Sequence, residues 1–256
     1  AQGRTAAARG QHWRVTLAER PIGIGFDYGH TLVDFTRPDA AIAAAGETLA
    51  EELDLGSSKW VGTPGEFALA LDQLVDQLID ERQRANRWRE VDFEELHQLG
   101  MHLLLGRWPS DQLSELVGVT VQRAWVEGVA PIEPARAILA QLKEQGIRLA
   151  LCSNAPFPSR QMHEQLERFQ LVGYFDAVLF SSEIGWRKPD PRIFAEMLHR
   201  LGLPARSVWF IGDEWEADIK GATAAGIKAI LAPGARAPEA GADQLTAWSD
   251  LLDRLD

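Results

Sequence analysis

The sequence predicts an α/β fold: a Rossmann-like, mostly parallel sheet with helices on both faces, and an all-helical domain inserted after the first strand. Three observations carry this. From Pro131 onward, short apolar runs alternate with amphipathic helical stretches, the rhythm of a parallel sheet built from crossover units. A single strand-like run, Ile22, Ile24 and Phe26, stands far upstream of them. Between the two lies a stretch with helical spacing only. It holds 17 acidic and 7 basic residues from Asp39 to Ala130, and so nearly all of the chain's net charge of −11.

Taken in order, residues 1–20 contain four arginines, and their first acid is Glu19. They read as a flexible arm; the competing reading is an Arg-rich organellar presequence, and no apolar core of a secretory signal follows. Residues 21–36 hold the first strand and the turn Asp27-Tyr28-Gly29-His30-Thr31. Residues 37–130 form the helical insert, with stripes at Leu71, Leu74, Val75, Leu78 and Ile79, then Leu96, Leu99, Leu103 and Leu104, then Leu113, Leu116 and Val117. Residues 131–256 complete the sheet. There the spacing predicts helix 133–145 and strand 147–151, helix 159–169 and strand 177–180, helix 191–201 and strand 208–211, then helix 217–225 and strand 229–231.

Composition narrows the function. With 256 residues, 46% apolar and 25% charged, the chain has the makings of a globular protein with its own core. The net charge of −11 opposes binding to nucleic acid or anionic lipid. No apolar run reaches membrane-spanning length. The single cysteine, Cys152, excludes an intrachain disulfide and favours a reducing cytoplasm. Oligomeric state has no readable signature.

Ligands of an open parallel sheet bind at the carboxyl ends of the strands, so the polar residues that end each apolar run are the informative ones: Asp27, Thr31, Ser153, Asn154 and Asp213. Asp218 follows Asp213 by five residues. Oxygen ligands without a cluster of His or Cys point to Mg²⁺. Lys188, just before a Pro-started helix, offsets negative charge, while Thr31 and Ser153 offer hydroxyls to phosphoryl oxygens. Dinucleotide, Walker A, zinc-protease and serine-hydrolase patterns all fail on spacing.

These residues fall into four motifs. Phe26-Asp27-Tyr28-Gly29-His30-Thr31-Leu32, Leu151-Cys152-Ser153-Asn154, Gly185 through Phe194, and Gly212-Asp213 with Asp218 and the run 220–226 together resemble the haloacid dehalogenase-like (HAD) hydrolase superfamily, in its phosphatase branch with a helical cap. The resemblance covers residues 22–35 and 131–233; the insert matches only in position and class. It implies a Mg²⁺-dependent phosphatase acting on a small phosphorylated metabolite, with Asp27 as the nucleophile that forms an aspartyl phosphate. Ser153 and Lys188 would bind the transferring group with Thr31. Asp27, the Gly29 carbonyl and Asp213 would hold Mg²⁺, with Asp218 as a direct ligand or behind one.

One departure stands out. Phosphatases of this family carry a second Asp two residues after the nucleophile, as general acid and base; here that position is Gly29. Such catalysis is typically worth ~10²–10⁴-fold. The readings left open are replacement by His30 or a cap residue, a good leaving group, a phosphonatase-like reaction using the insert's one lysine, Lys59, or binding of a phospho-ligand without turnover. A dehalogenase fits less well, because the acidic fourth motif suits a metal that dehalogenation does not use. Several residues read two ways. His30 is a substrate-facing or a packed side chain, and Asn154 a substrate-binding or a loop-orienting one. Arg87, among Arg82, Arg84 and Arg89, either grips a second anion of the substrate or is a solvated helix-end residue. Glu183 is expected to orient Lys188. Trp60, Trp88, Trp108 and Trp125 line the cap interface or fill it.

Overall fold

The computed structural model describes residues 20–235 and 241–255. The N-terminal arm, apart from Arg20, therefore lies outside the described residues. Strands β1 (Gly23–Phe26) and β2 (Val33–Phe35) lead into five helices: α1 (Asp39–Glu47), α2 (Ala50–Leu53), α3 (Pro64–Asn86), α4 (Phe93–Leu105) and α5 (Asp111–Trp125). Then come β3 (Val129–Pro131), α6 (Glu133–Glu144), β4 (Arg148–Ser153), α7 (Ser159–Arg168), β5 (Ala177–Phe180), α8 (Ser181–Ile184), α9 (Pro191–Leu201), β6 (Val208–Gly212), α10 (Gly221–Ala224), β7 (Lys228–Leu231) and α11 (Ser249–Asp253).

The main sheet is five-stranded and parallel, in the order β5-β4-β1-β6-β7. Period-two alternation divides its side chains. Leu149, Leu151, Trp209 and Ile211 face the layer of α6, α7 and α11, while Ala150, Cys152, Val208 and Phe210 face α9. Both faces are covered, so the strands are mostly apolar, with polar residues only at strand ends such as Arg148, Ser153 and Lys228. The order in which strands are laid down reverses about β1, with Phe26 registered against Leu151 on one side and Ile211 on the other. That switch point is where a parallel sheet opens a crevice.

The helices between Asp39 and Trp125 pack a core of their own, from Ile42 through Phe67, Leu71 and Met101 to Val121. Their ends are specified locally. Thr63 and Glu66 form a reciprocal capping box at α3, and Asp92 and Ser110 cap α4 and α5. Two predicted stripes need correction. On α4 the buried face is Leu96, Gly100, Met101 and Leu105, with Leu103 47% exposed; on α5 it is Ser114, Val117, Gly118 and Val121, with Leu116 41% exposed. Small residues at Gly100, Ser114 and Gly118 let the helices approach closely, so the buried stripe follows the contact rather than the leucines. An antiparallel β2–β3 pair joins the two ends of this helical segment to the sheet. Most other boundaries shift by one or two residues, as in β4, which runs from Arg148 to Ser153. The predicted helix 217–225 is a π-helical turn, Trp215–Lys220, running into α10, and the first strand begins at Gly23. Among the described residues no helix is long and apolar enough to cross a membrane.

Candidate active site

Asp27 follows β1 directly; its amide donates to the Ile211 carbonyl at 2.8 Å, fixing the chain as it leaves the sheet. Ser153 ends β4, and Asp213 follows β6. Asp218 is brought back by the π-helical turn, where its Oδ2 accepts from the Glu214 amide at 3.0 Å. A Cβ at Gly212 would collide with the Asp218 carboxylate, so glycine lets that carboxylate fold over the strand end.

Lys188 is 2% exposed, and its Nζ donates to Asp27 Oδ1 at 2.5 Å and to Asp218 Oδ1 at 2.7 Å. Its backbone is held from both sides by Asn154: the Lys188 amide donates to Oδ1 at 2.7 Å, and Nδ2 donates to the Lys188 carbonyl at 3.1 Å. Asn154 thus orients the Lys188 loop. Glu183 does not: it pairs with His163 at 3.3 Å instead.

Carboxylate oxygens of Asp27, Asp213 and Asp218 lie within 4.8 Å of one another. Burial pushes the Asp27 carboxyl up strongly; Lys188 opposes this, and Asp218 and Asp213 add to it. Asp213 rises to about 6, through burial first and then the charges of Asp218 and Glu214. Burial alone would lower the Lys188 pKa, but Asp218 and Asp27 hold its ammonium well above the usual range. Three acids crowded against one ammonium remain short of positive charge, and their hard oxygen donors fit a divalent cation such as Mg²⁺. Cys152 lies beneath, its thiol pushed up to about 12 by burial, and is not a nucleophile here.

A cavity of about 380 Å³ opens over this floor. Asp27, Gly29, Ser153, Asn154, Lys188, Asp213 and Asp218 line it, together with His30. His30 has a positive φ of 55° and its Nδ1 sits 3.5 Å from Asp34. Two expected residues do not line the cavity. The turn after His30 carries Thr31 inward, where it is fully buried and its hydroxyl has no hydrogen-bond partner among the described residues. Arg87 is exposed at the C-terminal end of α3, where the chain turns at a φ of 56°. Lys59 is exposed too, its stem lying over Gly106. Of the four tryptophans, Trp125 alone lines the cavity; Trp60 packs on Phe67, Trp108 stacks on His102, and Trp88 is 36% exposed.

The helical segment contributes residues that sequence reasoning missed. Asp76 of α3 and Gln122 and Trp125 of α5 form the wall opposite Asp27, and the Trp125 indole is fixed by donating to Asp72 Oδ1 at 2.7 Å. The available signal was a pair of acids, Asp72 and Asp76, spaced i, i+4 beside the apolar stripe Leu71, Val75 and Ile79. From the core side, Tyr28 is anchored by its hydroxyl donating to Gln165 Oε1 at 2.8 Å.

The haloacid dehalogenase-like hydrolase family model matches residues 74–232, more than half of the chain. A 103-residue stretch is 40% identical to haloacid dehalogenase-like hydrolase domain-containing protein 3 of Bos taurus, covering 40% of each chain. A 123-residue stretch is 35% identical to ribulose-1,5-bisphosphate 5-phosphatase of Halopiger xanaduensis, covering 48% of this chain and 50% of that one. These alignments thus span half or less of the relatives' length. In fold, the chain is similar to 2-haloacid dehalogenase from Pseudomonas syringae pv. Tomato DC3000, with a TM-score of 0.65 at 23% identity over 91% of this chain and 96% of that one. With a sequence model, curated relatives and a shared fold in agreement, the chain belongs to the haloacid dehalogenase-like hydrolase family.

Proposed function

We propose that this protein is a Mg²⁺-dependent phosphatase that hydrolyses a small phosphorylated substrate through an aspartyl phosphate on Asp27. The observation that carries the reading is the Asp27 carboxylate, facing a cavity with Lys188 Nζ at 2.5 Å and two further carboxylates within 4.8 Å. The phosphatase relative supports it. A dehalogenase would have no use for that second and third acid.

In this reading an Asp27 oxygen attacks phosphorus as the ester P–O bond breaks, and the departing alkoxide takes a proton. Water then attacks the aspartyl phosphate, releasing phosphate and restoring the carboxylate. Lys188 and Ser153 hold the transferring group in line. Asp27, Asp213 and Asp218, with the Gly29 carbonyl, would hold Mg²⁺, whose charge offsets that of the phosphoryl oxygens. With no acid at Gly29, His30 supplies the proton to the leaving oxygen: it lines the cavity, and the first motif's remaining titratable side chain there, Tyr28, already donates its hydroxyl to Gln165. Residues 37–130 act as a cap that excludes water. The single buried thiol suits a reducing cytoplasm. The lysine-dependent phosphonatase reading loses its residue, since Lys59 does not line the cavity.

The test is phosphate release from p-nitrophenyl phosphate and acetyl phosphate, with and without Mg²⁺. We expect Mg²⁺-dependent release that Asp27→Asn abolishes, and phosphate trapped on Asp27 by mass spectrometry. Protein that binds Mg²⁺ yet releases phosphate from neither compound would instead be a phospho-ligand-binding protein.

A further inference from the structure

Away from its floor, the cavity is walled mainly by rings and apolar side chains. Tyr28 and Phe35 come from the chain after β1, Trp125 and Val129 from the end of α5 and from β3, Phe157 from the loop after β4, and Met162 from α7. Three of the rings are held in place. The Tyr28 hydroxyl donates to Gln165 Oε1, the Trp125 indole donates to Asp72 Oδ1, and Phe157 packs edge-on against Phe93 with ring centroids 5.6 Å apart. Fixed rings of this kind offer a bound ring stacking and edge contacts at little cost in side-chain freedom.

The wall's polar groups are few, and two of its amides are engaged. Gln165 accepts from Tyr28, and Asn154 is committed to the Lys188 backbone. On the side of the helical segment the polar groups are Gln122 and the exposed Asp76. Among the described residues, Lys188 and His30 are the only basic side chains that line the cavity, and Lys188 is paired with Asp27 at the phosphoryl end. An anionic tail on the substrate would find no further cation there, and the hydroxyls of a sugar would be buried largely without partners. The volume of about 380 Å³ is that of a site for a small molecule.

The chemistry at Gly29 points the same way. Without a carboxylic acid at that position, His30 has to protonate the leaving oxygen by itself. A phenolic oxygen, whose own pKa is about 10, asks far less of a proton donor than an alkoxide does.

We infer that the substrate is the phosphomonoester of a small uncharged phenol, its ring seated against Trp125 and Phe157. This rests on the phosphatase reading and deepens it. An Asp27 oxygen bonds to phosphorus as the bond from phosphorus to the phenolic oxygen breaks; the electron pair leaves with that oxygen, which takes its proton from His30. The water that then attacks the aspartyl phosphate returns a proton to His30.

The experiment measures kcat/KM for phenyl phosphate, benzyl phosphate and glycerol 1-phosphate, with acetyl phosphate, which carries no ring, as the activity control. Benzyl phosphate has the ring but releases an alkoxide, as glycerol 1-phosphate does, and so separates ring binding from leaving-group chemistry. We expect benzyl phosphate to exceed glycerol 1-phosphate by about 30-fold or more, mainly through KM. Phenyl phosphate should exceed benzyl phosphate by about 10-fold in kcat. Trp125→Leu and Phe157→Leu should each cut the ratio of benzyl phosphate to glycerol 1-phosphate about 5-fold, and partial unfolding of either variant does not move that ratio. Calorimetry on Asp27→Asn should show benzyl phosphate binding more tightly than glycerol 1-phosphate. If acetyl phosphate is turned over but benzyl phosphate is no better than glycerol 1-phosphate, or the ratio is unchanged in both variants, the inference fails and the phosphatase reading stands. Phenyl phosphate turned over no faster than benzyl phosphate would likewise overturn the phenol. If neither acetyl nor phenyl phosphate is hydrolysed, the phosphatase reading fails and calorimetry decides: tighter benzyl phosphate supports the aromatic site, and equal or weaker binding overturns it.

Discussion

Gly29 is where a single side chain has the most to say about the chemistry. A Cβ there would fall 2.7 Å from the edge of the Phe35 ring, and Phe35 is 37% exposed, so the ring has room to swing outward. Gly29→Asp should therefore fold with a modest stability loss of about 1–2 kcal/mol. If the missing acid limits turnover, kcat on an alkyl phosphate such as glycerol 1-phosphate should rise up to about 100-fold. A fall, seen again when Phe35→Ala is added to make space, would mean the cavity works with a different proton donor. Asp27, Ser153 and Asp213 were legible because each ends an apolar run, Lys188 because it precedes a Pro-started helix and Asp218 because it follows Asp213 by five residues; all five lie together at one sheet edge. Thr31 and Arg87 were not, since a turn at positive φ sends each side chain somewhere that spacing does not record. Asn154 was legible in identity but not in role: its amide is used up on both sides by the Lys188 backbone.

Among the elements, the sheet followed its apolar runs closely, and β5 and α9 match the expected bounds. The helical pairs did not, because the α4–α5 contact is made through small and polar residues. His97 on α4 is buried there, with Nδ1 2.9 Å from Ser114 Oγ, and burial lowers its pKa to about 4. The imidazole is thus neutral in the fold. Its contribution to stability is complete above pH 6.5, the unfolded value, and is lost as pH falls from there to about 4. A lowering of that size corresponds to about 3 kcal/mol. Urea unfolding at pH 7.5 and 4.5 reads it directly: wild type should lose most of this free energy relative to His97→Gln, whose side chain does not titrate. Taking the difference between the two proteins removes the carboxylates, whose raised pKa values at Asp27 and Asp213 act in the opposite direction. Parallel pH profiles for the two proteins would mean that His97 titrates normally in the fold. The wall of Asp76, Gln122 and Trp125 is invisible at this scale too, since no local period relates α3 to α5 across some 46 residues.

For the molecule as a whole, the question is what holds the helical segment over the sheet. The β2–β3 pair ties its two ends to the sheet, and Phe157 packs against both cores. A third tie lies at the loop that carries Lys188. There the Glu90 amide donates to the Gly185 carbonyl at 3.0 Å, the Arg187 amide donates to the Trp88 carbonyl at 2.7 Å, and Arg89 pairs with Trp186. The buried Glu90 carboxylate accepts from Ser181 Oγ and from the Val91 amide, and Ser181 Oγ in turn accepts from the Ala155 amide at 2.8 Å, just beyond Asn154. One acid from the helical segment therefore braces both loops that present Ser153 and Lys188. Glu90→Ala would leave the Ser181 hydroxyl and the Val91 amide without their acceptor, at about 1–3 kcal/mol each. If this brace couples the two cores, the variant should show faster proteolysis within residues 37–130 and a higher KM for p-nitrophenyl phosphate, while Glu90→Gln, which keeps one acceptor oxygen, should recover part of both. A variant that loses stability with KM unchanged would confine Glu90 to packing and leave β2–β3 and Phe157 to hold the segment in place.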